Sequence, residues 1–128
     1  GDLLLVDGVL LSTTLRDLHK MDYEELTRQK VRFLKRNTSP SEESEHCATR
    51  PIIAFDCEGE VERVCIDEQH RTIFDGAPGD GGKFLSAHSV LLRMLYNEKM
   101  VVTERLEAGD IVLMDARRVL WGRTALKV

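Results

Sequence analysis

No apolar run in this 128-residue sequence approaches the roughly 20 residues that a membrane-spanning helix needs. Short runs such as those at 3–6 and 52–55 suit buried strands. Nor is there a basic surplus: 18 Lys and Arg face 22 Asp and Glu, a net charge of −4. Nothing in that balance would pair with phosphates, so neither nucleic acid nor an anionic membrane is an expected partner. The three cysteines, Cys47, Cys57 and Cys65, form no CxxC pair. An odd number without a signal-like leader suggests reduced, semi-buried thiols in an intracellular compartment, cytoplasmic or mitochondrial. Cys57 and Cys65 flank a hairpin turn and could face each other across it. The glycine-rich DGAPGDGG stretch lacks the GK[ST] ending of a phosphate-binding loop, and no Ser/His/Asp order accompanies a nucleophile elbow. The chain opens on Gly1-Asp2 and stops at Lys127-Val128, and both ends read as cut from a longer protein.

What is present suits one domain with a real core: 42% hydrophobic and 31% charged residues. GDLLLVDG (1–8) reads as a short buried strand between turn residues. Ser12 or Thr13 is placed to cap a short helix carrying Leu15 and Leu18, and Asp22 with Glu25 has the form of a capping box opening a second helix to about Gln29. Val31 and Phe33 alternate with charged residues as in a strand. NTSPSEESEHCAT (37–49) reads as a mobile surface loop. The clearest hairpin signal is PIIAFDCEGEVERVCID, with strands at 52–55 and 61–66 about a Glu58-Gly59 turn. Its acids, Asp56, Glu58, Glu60, Glu62 and Asp67, read as a solvated face, a cation-binding surface being the alternative. An amphipathic helix is expected from about Phe84 to Asn97, with Leu85, His88, Leu91, Leu92 and Leu95 on one face. Strands at 101–106 and 111–114 flank a Glu107-Ala108-Gly109-Asp110 turn. Short strands with helices inserted predict a mainly β, α+β architecture, a sandwich or barrel with helical decoration.

Three segments in this order carry a resemblance: GDLLLVDG, then RPIIAFDCEGEVERV, then LEAGDIVLMDARRVLWGR. Together they resemble the C-terminal half of the gamma-butyrobetaine hydroxylase and trimethyllysine dioxygenase family, within the taurine-dioxygenase-like oxygenases. The resemblance covers nearly the whole of residues 1–128. It implies part of a double-stranded β-helix, a jelly-roll relative, and a carnitine-biosynthesis type of chemistry that uses Fe(II) and 2-oxoglutarate on a small quaternary-ammonium substrate. Such a metal is held by two histidines and a carboxylate. The resemblance places an early His-x-Asp pair upstream of Gly1, and the last histidine in a GD…D-N-x-R-x-L-H-G-R segment. Gly109, Asp110, Asp115, Arg118, Leu120, Gly122 and Arg123 match that segment. Ala116 stands where asparagine is usual, and Trp121 stands at the metal histidine.

Indole nitrogen is a donor with no lone pair for iron. None of His19, His46, His70 and His88 is followed two residues later by Asp or Glu. The oxoacid-binding arginine is expected beyond Val128, because Arg123 matches the arginine of the HGR motif. No catalytic, cofactor-binding or metal residue is therefore expected within the chain. Trp121 itself reads as a core or interface residue, with substrate stacking, or a sequence error for histidine, as alternatives. His88 reads as a satisfied semi-buried histidine, and His46 and His70 as solvated loop residues. His46 with Cys47 supplies too few ligands for a metal. Arg117, Arg118 and Arg123 suggest ion pairs or a small anion-binding patch. Near Asp67-Glu68, where a polar substrate contact of the family loosely aligns, the chain has acids instead of asparagine. Two expectations follow: a fragment of a dioxygenase, inactive alone, or a non-catalytic descendant acting as a binding or dimerisation module. Open sheet edges in either predict self-association or a missing N-terminal half as partner.

Overall fold

A computed structural model describes residues 1–39, 41–72 and 79–125. The elements run β1 (Leu3–Asp7), α1 (Gly8–Leu18), α2 (Lys20–Arg28), β2 (Lys30–Ser39), β3 (Glu42–Pro51), β4 (Ile53–Phe55), β5 (Val61–Val64), α3 (Asp80–Leu95), β6 (Val101–Glu104) and β7 (Val119–Arg123). The architecture mixes helix with three antiparallel sheets: β6-β1-β7, the β2–β3 hairpin and the β4–β5 hairpin. No helix among the described residues is long and apolar enough to cross a membrane.

The first strand is central in its sheet. Leu5 pairs with Val102 on one side and Trp121 on the other, and Val6 pairs with Val101 and Leu120. Neighbouring residues on a strand face opposite sides. The Val101–Val6–Leu120 row faces the core, which also holds Leu11, Leu15, Leu26, Val31, Phe33, Ile52, Ile53, Phe84, Ala87 and Leu91.

Strand turns to helix at Asp7-Gly8. Asp7 caps α1, its Oδ1 accepting from the amides of Val9 (3.0 Å) and Leu10 (3.3 Å). This corrects the expected cap: Ser12 lies inside the helix and is fully buried. Gly8 is required by close approach, because a Cβ there would meet the Arg118 carbonyl oxygen at 2.6 Å. The second helix opens at Lys20, earlier than the Asp22–Glu25 capping box suggested, and has no side-chain cap.

Within the expected loop at 37–49, residues 37–39 and 42–49 are paired strand. Lys30 to Ser39 pair with Pro51 back to Glu42 in unbroken antiparallel register. A hairpin needs only complementary backbone groups, so a polar ribbon can pair without an apolar stripe to advertise it. The β4–β5 hairpin matches expectation. Gly59 takes a positive φ of 82° at its turn, and Asp56 Oδ1 accepts from the amides of Glu58 (2.9 Å) and Glu60 (3.0 Å).

The third helix begins at Asp80, taking Gly81 and Gly82 into its first turn, four residues before the expected start. Its buried face is Phe84, Ala87, His88 and Leu91, while Leu85 is exposed. Residues 73–78, which include the first part of the glycine-rich DGAPGDGG stretch, lie outside the described residues. The strand expected at 111–114 is not formed among the described residues: those positions pair with no described strand, and Ile111 and Leu113 are 92% and 98% exposed.

Candidate functional site

The motif residues build a clamp. At 107–110 the chain turns on Gly109, whose φ is 99°, a conformation that favours glycine. Asp110 locks that turn: its carboxylate accepts from the Glu107 amide at 2.7 Å, and its own amide donates to the Glu107 carbonyl at 3.1 Å. A second turn follows at 115–118. Asp115 Oδ1 accepts from the Arg117 amide (3.0 Å) and Nε (3.4 Å), and the Asp115 carbonyl accepts from the amides of Arg118 (3.1 Å) and Val119 (2.8 Å). The Arg117 hydrogen bonds, backbone first, hold the Asp115 carboxyl below the usual range.

This second turn ties three elements together. The Arg118 carbonyl accepts from Gly8 (2.7 Å) at the start of α1, and the Arg117 carbonyl from Val64 (3.2 Å) on β5. The Arg118 guanidinium grips Asp7 with a fork, Nη2 to Oδ2 at 2.9 Å and Nε to Oδ1 at 3.3 Å. That fork is the main reason the Asp7 carboxyl sits below its ordinary value, and the Arg118 guanidinium is held correspondingly higher. Sequence reasoning missed Asp7, treating it only as a strand-ending turn residue. The available signal was Asp-Gly directly after an apolar run, which is a helix cap as well as a turn. Of the arginines expected to cluster, Arg117 and Arg118 make ion pairs within the clamp, and Arg123 lies exposed on β7.

Trp121 is not in the core. It is 62% exposed on the face of the sheet opposite the core row. Gly122 beside it pairs with Leu4 and has open space around it.

The histidines lie apart in the fold. His19 sits between α1 and α2, 3.9 Å from Asp22. His46 is exposed, on β3 instead of in a loop. His70 is half-buried and hydrogen-bonded, its Nδ1 at 2.7 and 2.9 Å from the two Asp67 oxygens, which corrects its reading as a solvated residue. His88 is 3% exposed on α3; its Nε2 lies 3.0 Å from Glu68 Oε1 without pointing squarely at it. Burial pushes the His88 imidazole below its ordinary pKa, with Glu68 opposing. Asp67 and Glu68 thus serve histidine and arginine partners, Glu68 also contacting Arg71 at 3.3 Å. Asp56, Glu58, Glu60 and Glu62 are exposed, as a solvated face requires. Cys47 and Cys57 are exposed, contrary to expectation; only Cys65 is half-buried, and burial raises its thiol pKa.

Iron does not fit this donor set. Indole offers it no lone pair. No three His, Cys, Asp or Glu side chains converge in a metal-holding group among the described residues. A groove of about 730 Å³ between α2 and α3 is lined by Met21, Asp22, Glu25, Arg28, Lys83 and others, with no motif residue.

The family model "Taurine catabolism dioxygenase TauD, TfdA family" matches residues 1–127. The chain belongs to this family. The gamma-butyrobetaine dioxygenase of Pseudomonas sp. (strain AK-1) is 29% identical to it over 125 residues, which is 98% of this chain and 32% of that protein. The chain thus spans about a third of that relative's length, and the two-turn clamp falls inside the family match.

Proposed function

We propose that these residues are the C-terminal part of an Fe(II)- and 2-oxoglutarate-dependent dioxygenase, and that the 128-residue chain by itself carries no oxygenase activity. The substrate class is a small quaternary-ammonium acid of the gamma-butyrobetaine kind. The family match and the Pseudomonas relative support the first statement. On this reading, the β6-β1-β7 sheet is part of a double-stranded β-helix, and metal, oxoacid and substrate are held mainly by polypeptide outside residues 1–128.

The observation that carries the second statement is Trp121. It sits between Leu120 and the Gly122-Arg123 pair, on a strand fixed to β1, at the place the resemblance gives to the last metal histidine. Trp121 puts an indole donor where a lone pair would be needed. The chain's own residues then act as scaffold: the Asp7–Arg118 fork and the 115–118 turn hold β7 against β1.

Anaerobic titration of the isolated chain with Fe(II) and 2-oxoglutarate tests this. The expected result is no stoichiometric metal–oxoacid charge-transfer band, and a one-to-one band would overturn it. A longer protein containing this chain, compared with its Trp121→His form, reports on the family chemistry. Tighter iron binding by the histidine form is the expected outcome.

A further inference from the structure

Buried polar atoms in folded proteins are nearly all hydrogen-bonded, so an orphan calls for an explanation. His88 Nε2 is such an orphan, on the buried face of α3, with the Phe84 ring at a centroid distance of 5.7 Å. Glu68 Oε1 lies 3.0 Å away but out of line. That same oxygen accepts from Arg71 Nε at 3.4 Å, while Oε2 accepts from Arg71 Nη2 at 3.3 Å. Both bonds are long beside the roughly 2.7–2.9 Å of a strong charge-assisted pair. His88 and Arg71 thus compete for one carboxylate oxygen. Residues 67–72 hold that carboxylate between two neighbours. On one side the Leu34 amide of β2 donates to the His70 carbonyl (2.8 Å), and the Thr72 amide to the Arg32 carbonyl (2.9 Å). On the other, Glu68 reaches α3. The charges that act on the His88 ring are Glu68 and Arg71. Elsewhere on α3, Lys83 and Arg93 are exposed and Asp80 acts on Arg28. On α2, Glu25 is bound to Arg28 at 2.7 Å, and the buried residues of α1 carry no charge.

We propose that Glu68 is a proton-operated latch: protonation of His88 draws Glu68 Oε1 from Arg71 Nε onto His88 Nε2 and closes residues 67–72 onto α3. A neutral imidazole carries a single N–H, and here the ring makes no aligned bond to Glu68. An imidazolium carries an N–H on both nitrogens, and its buried charge needs a paired acceptor. Glu68 is the carboxylate within reach, and its half-exposed side chain has room to turn. Arg71 gives up one bond and keeps the other through Oε2. Burial outweighs the attraction of Glu68, so the latch closes below the ordinary imidazole range.

Nitrogen NMR of the histidine rings and the Arg71 guanidinium, followed from pH 7.5 down to 4.5, tests it, with His88→Gln assigning the ring. Protection of the Arg71 Nε–H from solvent exchange is expected to fall severalfold, through the same midpoint at which His88 Nε2 becomes imidazolium. Glu68→Gln should lower that midpoint by about one pH unit and abolish the Arg71 response. Arg71→Gln removes the rival cation and should raise the midpoint by a similar amount. Both side chains reach solvent, so neither substitution opens the core. Arg71 protection that ignores the His88 midpoint overturns the proposal, as does a midpoint unmoved by Glu68→Gln. A response that follows His70 instead, whose ring is bound to the neighbouring Asp67, overturns it too.

Discussion

At Asp7 one carboxylate meets two demands, capping α1 through the amides of Val9 and Leu10 and receiving the Arg118 fork. The two can be separated. Asp7→Asn keeps an oxygen for the cap and loses the charge pair, whereas Asp7→Ala loses both. The alanine form should cost about 1–2 kcal/mol for the lost cap, with the asparagine form falling between it and the parent in a urea melt. The neighbouring Gly8→Ala drives a methyl group against the Arg118 carbonyl and should also lower the melting midpoint. His88 predicts a pH dependence. Its folded pKa lies below the ordinary 6.5, so the unfolded chain takes up the proton first as pH falls. Stability should therefore decline as pH drops below about 6.5 toward the lower folded value. Melts between pH 7.5 and 5.5 on the parent and His88→Gln check this; equal slopes would remove His88 as the cause.

For whole elements, legibility followed apolar patterning. The first strand, the β4–β5 hairpin and the existence of three helices could be read because their apolar residues recur at the right period. The β2–β3 ribbon could not, because residues 37–49 are polar and a hairpin's pairing energy lies in backbone groups that side-chain identity does not report. The expected face of α3 held Leu85, His88, Leu91, Leu92 and Leu95; His88 and Leu91 are buried and Leu95 packs against the core, but Leu85 is exposed, and the buried Phe84 and Ala87 were not on the expected face. Phe84→Ala should therefore cost about 3–5 kcal/mol through cavity formation, and Leu85→Ala less than about 1 kcal/mol as a surface change. Similar losses at both positions would reject this facing of the helix. Of the candidate site, Gly109, Asp110, Asp115 and Arg118 were legible as a motif, but their structural work was not. Arg117 and Arg118 reach Val64, Gly8 and Asp7, partners 53 or more positions away in sequence, which no local pattern reveals.

Across the whole molecule, the apolar content is unevenly covered. The core around Leu11, Leu15, Leu26 and Phe84 is closed, while Ile111, Leu113 and Trp121 stand open. Stability and solubility should therefore respond to different residues. Ile111→Asp or Leu113→Asp should raise the soluble yield of the isolated chain and leave its melting temperature within about 2 °C, since nothing in the fold packs on either side chain. A marked drop in melting temperature would show that these residues stabilise the isolated chain after all.

The central strand of the main sheet is made first and its two neighbours last. Leu5 waits for Val102, 97 positions on, and then for Trp121, 116 positions on, so both ladders close over very long stretches of chain. Loops of that length form slowly for entropic reasons. During synthesis β1 leaves the ribosome ahead of both β6 and β7, its partners in this chain, while α1 and α2 can already fold behind it. The sheet that carries the family motif is thus the last part of this chain to assemble, and the interval before residue 119 emerges is when a chaperone would find LLLV exposed.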